Sequence, residues 1–304
     1  MMTYDAIVIG GSFAGLSAAI QLVRARRRVL VVDSGKPRNR FSPASHGFLG
    51  QDGRAPADIL ADARRQVLAY PTAAFSAGEV VDGRSAGAAA GFVLTLDSGE
   101  QIATRRIVLA SGITDTLPDI PGLEERWGRT VLHCPYCHGF EVADRLLGVL
   151  SVGTRSVHLG AMLPDWGPST YFTQGEHEPD PAEATMLESR GVTVERSSIV
   201  ELLGAGSTLE AVRLDDGRTV PLAALFVAPQ TRPTGDLAER LGCVLTGEPG
   251  LRVIEVDGMQ QTSVPGVFAA GDVARAMSNA TLSSAAGVMA GVAAYRSLVF
   301  DRAG

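Results

Sequence analysis

The sequence predicts an α/β fold with two Rossmann-like dinucleotide-binding domains of the three-layer ββα type, the second inserted into the first, and three observations support this prediction. A strand, a glycine-rich turn, a helix and a second strand follow one another near the N-terminus. A hairpin followed by an apolar strand occurs twice, at residues 92–112 and 210–228. The chain has 304 residues, of which 45% are hydrophobic, so it is long and apolar enough for two cores.

The first predicted unit begins with an apolar strand at residues 6–9 that leads into the glycine-rich turn. Apolar residues at helical spacing follow at 16–22, and residues 29–32 form a second strand that ends at Asp33. In a dinucleotide-binding unit the turn and the helix N-terminus bind the pyrophosphate, and the acid accepts a hydrogen bond from a ribose hydroxyl. The predicted binding residues of the turn are Gly10, Ser12, Phe13, Ala14 and Gly15, with Ser12 at the position of the middle glycine of the G-x-G-x-x-G pattern.

A second candidate cofactor segment lies near the C-terminus. Residues 262–272 form a turn and an apolar strand that ends in Gly271-Asp272. A carboxylate fixed at a strand end can bind the ribityl hydroxyls of FAD, and Gly271 permits close approach of the backbone. Residues 280–294 form a helix of small residues whose N-terminus, at Ala280, can face a flavin ring. Each piece taken alone also fits an ordinary α/β core.

Residues 133–138 read His-Cys-Pro-Tyr-Cys-His, and this pattern indicates thiol–disulfide redox chemistry. Cys134 and Cys137, separated by two residues, can close and reopen a disulfide, and the thiolate is the reactive form. Because an imidazole titrates near neutral pH, His133 and His138 are candidates for acid–base catalysis.

A zinc site and a permanent structural disulfide are the alternative interpretations of this motif. Structural zinc usually needs a second ligand pair, but Cys243 stands alone, and His46, His158 and His177 show no paired spacing. A disulfide across two residues closes a very small loop, so it constrains the unfolded chain little. We therefore expect no metal, and we expect Cys243 to be a small apolar core residue.

Together these segments resemble the thioredoxin reductase family of FAD-dependent pyridine nucleotide–disulfide oxidoreductases. The order matches the family: glycine-rich loop, residues 109–112 ending in Gly112, Cys-x-x-Cys, and residues 269–272. Around the cysteines the chain resembles the dithiol oxidase branch that closes disulfides in gliotoxin and holomycin, which carries Cys-Pro-Tyr-Cys-His. Thioredoxin reductases instead have an aspartate where this chain has His138.

The resemblance implies an FAD domain into which a second domain is inserted. The implied boundaries are 1–115 and 233–304 for the FAD domain and 116–232 for a degenerate NAD(P)-type domain that carries the cysteines, with residues 118–121 and 229–233 as crossing strands. The family also implies a homodimer. It assigns Cys134 as the thiol that exchanges with substrate and Cys137 as the thiol next to the flavin. His138, and then His133, are expected to act as base and acid because an imidazole titrates near neutral pH.

The expected nicotinamide site of the second domain departs from the family pattern. Its loop at residues 148–156 has Ser151 and Ser156 where small glycine-type residues are expected. NADPH-using members carry arginines after the next strand because a 2′-phosphate needs cationic donors, whereas this chain has Glu176 and Glu178 there. NADPH is therefore disfavoured, and NADH use or no nicotinamide use stays open.

Composition limits the partners. The net charge of −6 argues against nucleic acid as a partner, and no apolar run is expected to reach membrane-spanning length, so no membrane partner is expected. No signal peptide is expected, and three cysteines suit the cytoplasm. The predicted function is oxidation of a dithiol to a disulfide, with oxygen or another acceptor reoxidising the flavin. An NAD(P)H-dependent thioredoxin reductase and a non-catalytic flavin redox sensor are the alternatives, and the substrate is a small dithiol or disulfide or a thioredoxin-like protein.

Overall fold

The computed structural model describes residues 3–87, 91–277 and 279–300. The strands are β1 (Thr3–Ile9), β2 (Val29–Asp33), β3 (Ala73–Ala77), β4 (Val80–Gly87), β5 (Gly91–Leu96), β6 (Gln101–Leu109), β7 (Ile113–Thr116), β8 (Val131–Leu132), β9 (Leu147–Leu150), β10 (Ser169–Phe172), β11 (Thr193–Glu195), β12 (Ile199–Leu203), β13 (Ala211–Leu214), β14 (Thr219–Pro221), β15 (Ala224–Val227), β16 (Gln230–Pro233), β17 (Leu245–Thr246), β18 (Val253–Ile254) and β19 (Val267–Ala269). The α-helices are α1 (Phe13–Arg24), α2 (Pro56–Leu68), α3 (Pro135–His138), α4 (Arg155–Met162), α5 (Pro181–Ser189), α6 (Leu237–Arg240) and α7 (Ala280–Phe300).

The chain divides into two compact units. The first unit comprises Met1–Arg40, Ala57–Thr114 and Thr231–Gly304, and the second comprises Phe41–Pro56 and Asp115–Gln230. The second unit is thus inserted into the first at two places. The main insertion starts and ends within two residues of the boundaries expected from sequence, but the short segment Phe41–Pro56 was not expected to fold with the second unit.

The first unit is built on a seven-stranded sheet in the order β3-β2-β1-β6-β5-β4, with β19 also paired to β6. Strands β3, β2, β1, β6 and β19 are parallel, and β5 and β4 are antiparallel. Ala6, Ile7 and Val8 are fully buried, as expected for a strand of a parallel sheet that is covered on both faces. The strand and helix predicted at residues 6–33 form as expected.

Helix α7 packs against α1 at a distance that only small residues permit. A Cβ atom on Gly287 would overlap the carbonyl oxygen of Ala14, and one on Gly291 would overlap that of Ala18. The buried alanines of α7 therefore join the core between the two helices and the sheet.

The expectation that no apolar run reaches membrane-spanning length is wrong for α7. The 21 residues of Ala280–Phe300 are long and apolar enough by length and composition. Half of its most apolar stretch is buried inside the first unit, as in a core helix of a globular domain, so the length is weak evidence for a membrane span.

The second unit contains a parallel sheet in the order β11-β10-β9-β15-β8 and an antiparallel sheet of β12, β13 and β14. The predicted repeat is present in both units, with one difference. In the first unit the second hairpin strand, β6, continues into the central sheet, whereas in the second unit the hairpin strand β14 ends at Pro221 and a separate strand, β15, enters the sheet.

The strands that connect the units are β7 and β16, which pair with each other. Strand β16 lies within the predicted segment 229–233, but β7 precedes the predicted segment 118–121. Pro118 and Pro121 have no N–H group to donate to a sheet, so the residues before them form the strand.

Candidate functional site

The glycine-rich turn has the geometry of a pyrophosphate-binding turn. Gly10 has a φ of +106°, which favours glycine, and a Cβ atom on Gly15 would overlap the carbonyl oxygen of Gly10. Ser12 precedes α1 with an extended backbone, and its side chain makes no capping hydrogen bond to the helix. Phe13 and Ala14 form the start of α1, so the turn and the first helical turn present backbone N–H groups as an anion site requires.

Asp33 is tied to this turn by a hydrogen bond that sequence reasoning missed. The backbone N–H of Gly11 donates to Asp33 Oδ1 over 2.9 Å. This bond orients the carboxylate, whose second oxygen can then accept from a ribose hydroxyl. A side chain on Gly11 would collide with Asp33, so the glycine between the two motif positions has a structural role of its own.

The other predicted cofactor residues of the first unit follow strands that end at the same edge of its sheet. Ile9 of β1 is in register with Leu109 of β6, which is in register with Ala269 of β19. Because the carboxyl ends of parallel strands share one edge, the segments after them lie together there. Those segments carry Gly10, Gly112 and Gly271-Asp272, and both Gly112 and Gly271 have positive φ angles.

Asp272 has two partners that the sequence did not reveal. Its Oδ1 accepts a hydrogen bond of 3.0 Å from Ser283 Oγ on α7, and its Oδ2 lies 3.8 Å from Arg38 Nη1. Ala280 is the first residue of α7, and the preceding Asn279 caps the helix through a bond from Leu282 N–H to Asn279 Oδ1. The turn, Asp33 and this edge of the sheet together fit FAD.

The redox motif folds so that its two sulfur atoms meet. Cys134 has an extended backbone and precedes α3, whose first residue is Pro135. Because the backbone turns at that point, the Cys137 N–H bonds to the Cys134 carbonyl over 3.2 Å, and the two Sγ atoms lie 2.8 Å apart. Both cysteines are half-buried, so the pair is close enough for disulfide formation and partly accessible.

The two histidines of the motif have different surroundings. His133 lies 6.2 Å from the Trp127 ring in a tilted arrangement. His138, the last residue of α3, is half-buried, and this burial lowers its pKa below the usual 6.5. The charge of Glu141 opposes this shift and that of His46 adds to it. His138 is therefore largely neutral at pH 7 and able to accept a proton.

The family is identified by comparison with known proteins. The model of the pyridine nucleotide-disulphide oxidoreductase family matches residues 4–287. The chain belongs to this family.

Three relatives of this oxidoreductase cover nearly its whole length. It is 31% identical over 306 residues to thioredoxin reductase tcpT of Claviceps purpurea (strain 20.1), covering 98% of this chain and 95% of that protein. The crystal structure of an oxidoreductase from Agrobacterium tumefaciens has 48% identity and a TM-score of 0.94 over 99% of this chain and 100% of that one. The crystal structure of HlmI has 39% identity and a TM-score of 0.92 over 97% and 92% of the two chains.

The comparisons confirm the predicted family and its two-domain Rossmann-type fold. The protein is a thioredoxin reductase-like, FAD-dependent thiol–disulfide oxidoreductase. The roles assigned above to individual cysteines, histidines and cofactor-binding residues stay predictions.

The nicotinamide loop of this oxidoreductase is held by its own side chains. Ser156 Oγ accepts a hydrogen bond of 3.1 Å from the Val152 N–H at the mouth of the loop. The neighbouring Arg155 donates from Nη2 to the carbonyl of Pro229 over 3.0 Å. One N–H group and one cation that could meet a pyrophosphate therefore have partners within the second unit.

The acidic segment after β10 is also held by hydrogen bonds and an ion pair, and the cationic partner of Glu178 was not predicted from the sequence. Gln174 exchanges two hydrogen bonds with the backbone of Ile199, of 2.8 and 2.9 Å. Glu176 is exposed, and Glu178 forms an ion pair of 3.2 Å with Arg196. A cation thus does reach the segment, but it is paired with an acid, so the net charge offered to a 2′-phosphate stays unfavourable.

Among the described residues no group of three or more His, Cys, Asp or Glu side chains is arranged to hold a metal ion. Cys243 is buried in the core of the first unit, with Sγ 3.6 Å from Thr262 Oγ1. Burial raises the pKa of this thiol, so it has the inert character expected for a core cysteine.

Proposed function

We propose that this oxidoreductase oxidises a dithiol substrate to a disulfide through the Cys134–Cys137 pair, with oxygen as the final electron acceptor. The observation that carries the proposal is the state of the second unit's nucleotide site, in which Ser156, Arg155 and Glu178 are engaged with partners inside the unit. A reductase needs that site for its electron donor. An oxidase receives its electrons from the substrate and does not.

The chemistry starts from the oxidised cysteine pair. A substrate thiol gives its proton to His138, and the resulting thiolate attacks Cys134 Sγ, which breaks the bond to Cys137 and releases Cys137 as a thiolate. The second substrate thiol loses its proton and attacks the first substrate sulfur, which releases the substrate disulfide and the Cys134 thiolate. Two electrons and two protons have then left the substrate. FAD, held by the turn at residues 10–15 and by Asp33, would supply the two-electron acceptor that restores the Cys134–Cys137 disulfide, with oxygen taking the electrons as hydrogen peroxide.

The surroundings of His138 favour the oxidase direction. A general base must be unprotonated before the reaction, and burial lowers the pKa of His138, so the base form of its imidazole predominates at pH 7. The carboxylate found at this position in the reductases that the chain resembles is a weaker base near neutrality. An imidazole therefore favours removal of a proton from an incoming thiol.

Two exposed aromatic side chains, one inside the redox motif and one just after it, favour a small apolar dithiol as substrate. Tyr136, between the cysteines, is 74% exposed, and Phe140 is 84% exposed. Tyr136 is held edge-on against Trp166, with ring centroids 5.9 Å apart. Rigid aromatic surfaces beside a reactive sulfur bind an apolar body without charge selection. A thioredoxin-like protein is the second substrate class.

The alternative function is an NAD(P)H-dependent thioredoxin reductase, and the name of the Claviceps purpurea relative favours it. The stoichiometry of turnover in air separates the two functions. With a small dithiol as substrate, we expect one hydrogen peroxide per disulfide formed, over many turnovers and without nicotinamide. Turnover that requires NADPH and a protein disulfide would overturn the proposal. A single stoichiometric oxidation without turnover would instead favour a redox sensor.

Homodimerisation is proposed on the exposed face of α7. Val288, Met289, Val292 and Val299 lie on this face and are each about two-fifths exposed, from 36% to 40%. A second copy of the chain is a partner that buries such an apolar stripe. Light scattering should give about twice the chain mass, and Val292→Asp should lower it toward the mass of one chain.

The cytoplasm is the proposed location, since the chain has only three cysteines.

A further inference from the structure

The segment Phe41–Pro56, which folds with the second unit, is an ordered loop held by its own hydrogen bonds. The N–H of Ser45 bonds to the carbonyl of Arg54, and the N–H of Gly53 bonds to the carbonyl of Ser45, both over 2.8 Å. The N–H of Gly47 bonds to Asp52 Oδ1 over 2.8 Å. These bonds fix the loop around His46, which the sequence had left without a role.

His46 lies between two carboxylates. Its Nε2 is 3.4 Å from Glu141 Oε1, and its Nδ1 is 3.9 Å from Asp52 Oδ1. Glu141 belongs to the short 3-10 turn that directly follows α3, three residues after His138. The side chain of His46 is 24% exposed, that of Glu141 40% and that of Asp52 66%. The three groups thus lie together beside the end of the active-site helix.

We propose that His46, Glu141 and Asp52 form a positioning cluster that controls when His138 carries a proton. The inference rests on the proposed function, because it assigns the cluster to the acid–base step at the cysteine pair. Each dithiol that is oxidised releases two protons, and His138 must lose the one it accepts before the next attack.

The neighbours of His138 shift its pKa in known directions. Burial lowers the pKa of His138, Glu141 raises it, and His46 lowers it. The groups that face His138 with charge are therefore Glu141 and His46, while Cys134, Cys137 and His133 are the ionisable neighbours within its own motif. Asp52 acts on His138 through its contact with His46, whose Nδ1 lies 3.9 Å from Asp52 Oδ1. The two direct neighbours act on His138 in opposite directions.

A purely structural role makes a different prediction. If the contact between His46 and Glu141 only anchors the loop, removal of either side chain loosens the same contact. Both changes would then alter His138 in the same direction or leave it unchanged. Opposite shifts require that the charges themselves act on His138.

The test uses the FAD-loaded protein and the variants Glu141→Gln and His46→Gln. The proton state of His138 is followed by NMR of its labelled imidazole and by the pH dependence of anaerobic flavin reduction by a small dithiol. We expect Glu141→Gln to move the His138 inflection to lower pH and His46→Gln to move it to higher pH. Each shift should be roughly 0.5 pH unit, the size that one unit charge several ångströms away produces at the dielectric constant of water.

Matched controls lie on the same unit away from the motif. His158→Gln on α4 and Glu188→Gln on α5 change the same residue types at exposed positions and should leave the inflection in place. Asp52→Asn keeps a side-chain oxygen that can accept from the Gly47 N–H, and the site is largely exposed, so this variant is expected to fold. It should move the inflection in the same direction as His46→Gln, by less.

Two results overturn the inference: an unchanged inflection in all three cluster variants, or shifts of Glu141→Gln and His46→Gln in the same direction. Failure of the proposed function is seen separately. If the wild-type protein does not oxidise dithiols, opposite NMR shifts still establish the electrostatic cluster, whereas a wild-type protein that turns over dithiols with unshifted variants retains the function and loses the cluster.

Discussion

Replacement of His138 by alanine tests the acid–base step of the proposed oxidation. Burial lowers the pKa of His138 from 6.5, so at pH 7 at least about three quarters of the side chains are neutral. The wild-type protein then works near its plateau at pH 7, and its rate falls as the pH drops through an inflection below 6.5. Loss of a general base costs roughly 10²-fold or more on that plateau, which corresponds to about 3 kcal/mol in the barrier.

The assay is anaerobic flavin reduction by a small dithiol in a stopped-flow instrument between pH 5 and pH 9. A substrate thiol with a pKa near 8.5 ionises without help above about pH 8.5, so the defect of His138→Ala should shrink there. His158→Ala, an exposed change on α4, serves as the control. Equal rates for His138→Ala and wild type at every pH, or a defect of constant size across the range, would refute the role, and His133 would become the next candidate.

Further predictions follow from the same structure. Gly15→Ala should abolish FAD binding, measured by the absorbance of bound flavin, because the added Cβ atom would overlap the carbonyl oxygen of Gly10 in the turn. Because the family resemblance assigns Cys137 as the flavin-side thiol, Cys134→Ser should leave a Cys137 thiolate and give a long-wavelength absorbance band that Cys137→Ser lacks; full activity of Cys134→Ser would contradict the dithiol mechanism. Cys243→Ser should keep wild-type turnover, and a large loss would show that this buried thiol takes part. Because burial lowers the folded-state pKa of His138, the folded protein binds this proton more weakly than the unfolded chain, so stability falls as the pH drops from about 6.5 through the lower folded-state pKa; chemical denaturation of His138→Gln should lack this component.

The parts of the fold that sequence predicted are those formed by neighbours along the chain. The βαβ unit at residues 6–33 can be predicted from the sequence because its strands are apolar on both faces and its turn needs glycine at Gly10 and Gly15. The Cys134–Cys137 pair can be predicted because its spacing alone brings the two sulfur atoms together. The first connecting strand was misplaced because prolines were taken as strand residues, although they cannot donate to a ladder.

The parts that sequence did not predict depend on contacts between distant segments. Arg38 and Ser283 reach Asp272 from an early loop and the last helix, and no local pattern announces either contact. Arg196 meets Glu178 only because β10 and β11 are adjacent in the sheet. His46 was dismissed for lack of paired spacing, yet its partner Glu141 lies 95 positions later in the chain. Charge and spacing along the chain do not encode such pairs.

Comparison of electron donors to the bound flavin, in the absence of oxygen, separates a dithiol oxidase from an NADPH-dependent reductase. The FAD-loaded protein is mixed separately with a small dithiol, NADPH and NADH, and flavin absorbance is followed. We expect rapid bleaching by the dithiol and slow or no bleaching by NADPH, because Ser156 is engaged within the loop, Arg155 is bonded to the carbonyl of Pro229, and Glu178 repels a 2′-phosphate. Rapid bleaching by micromolar NADPH, with none by dithiols, would contradict it and identify a reductase.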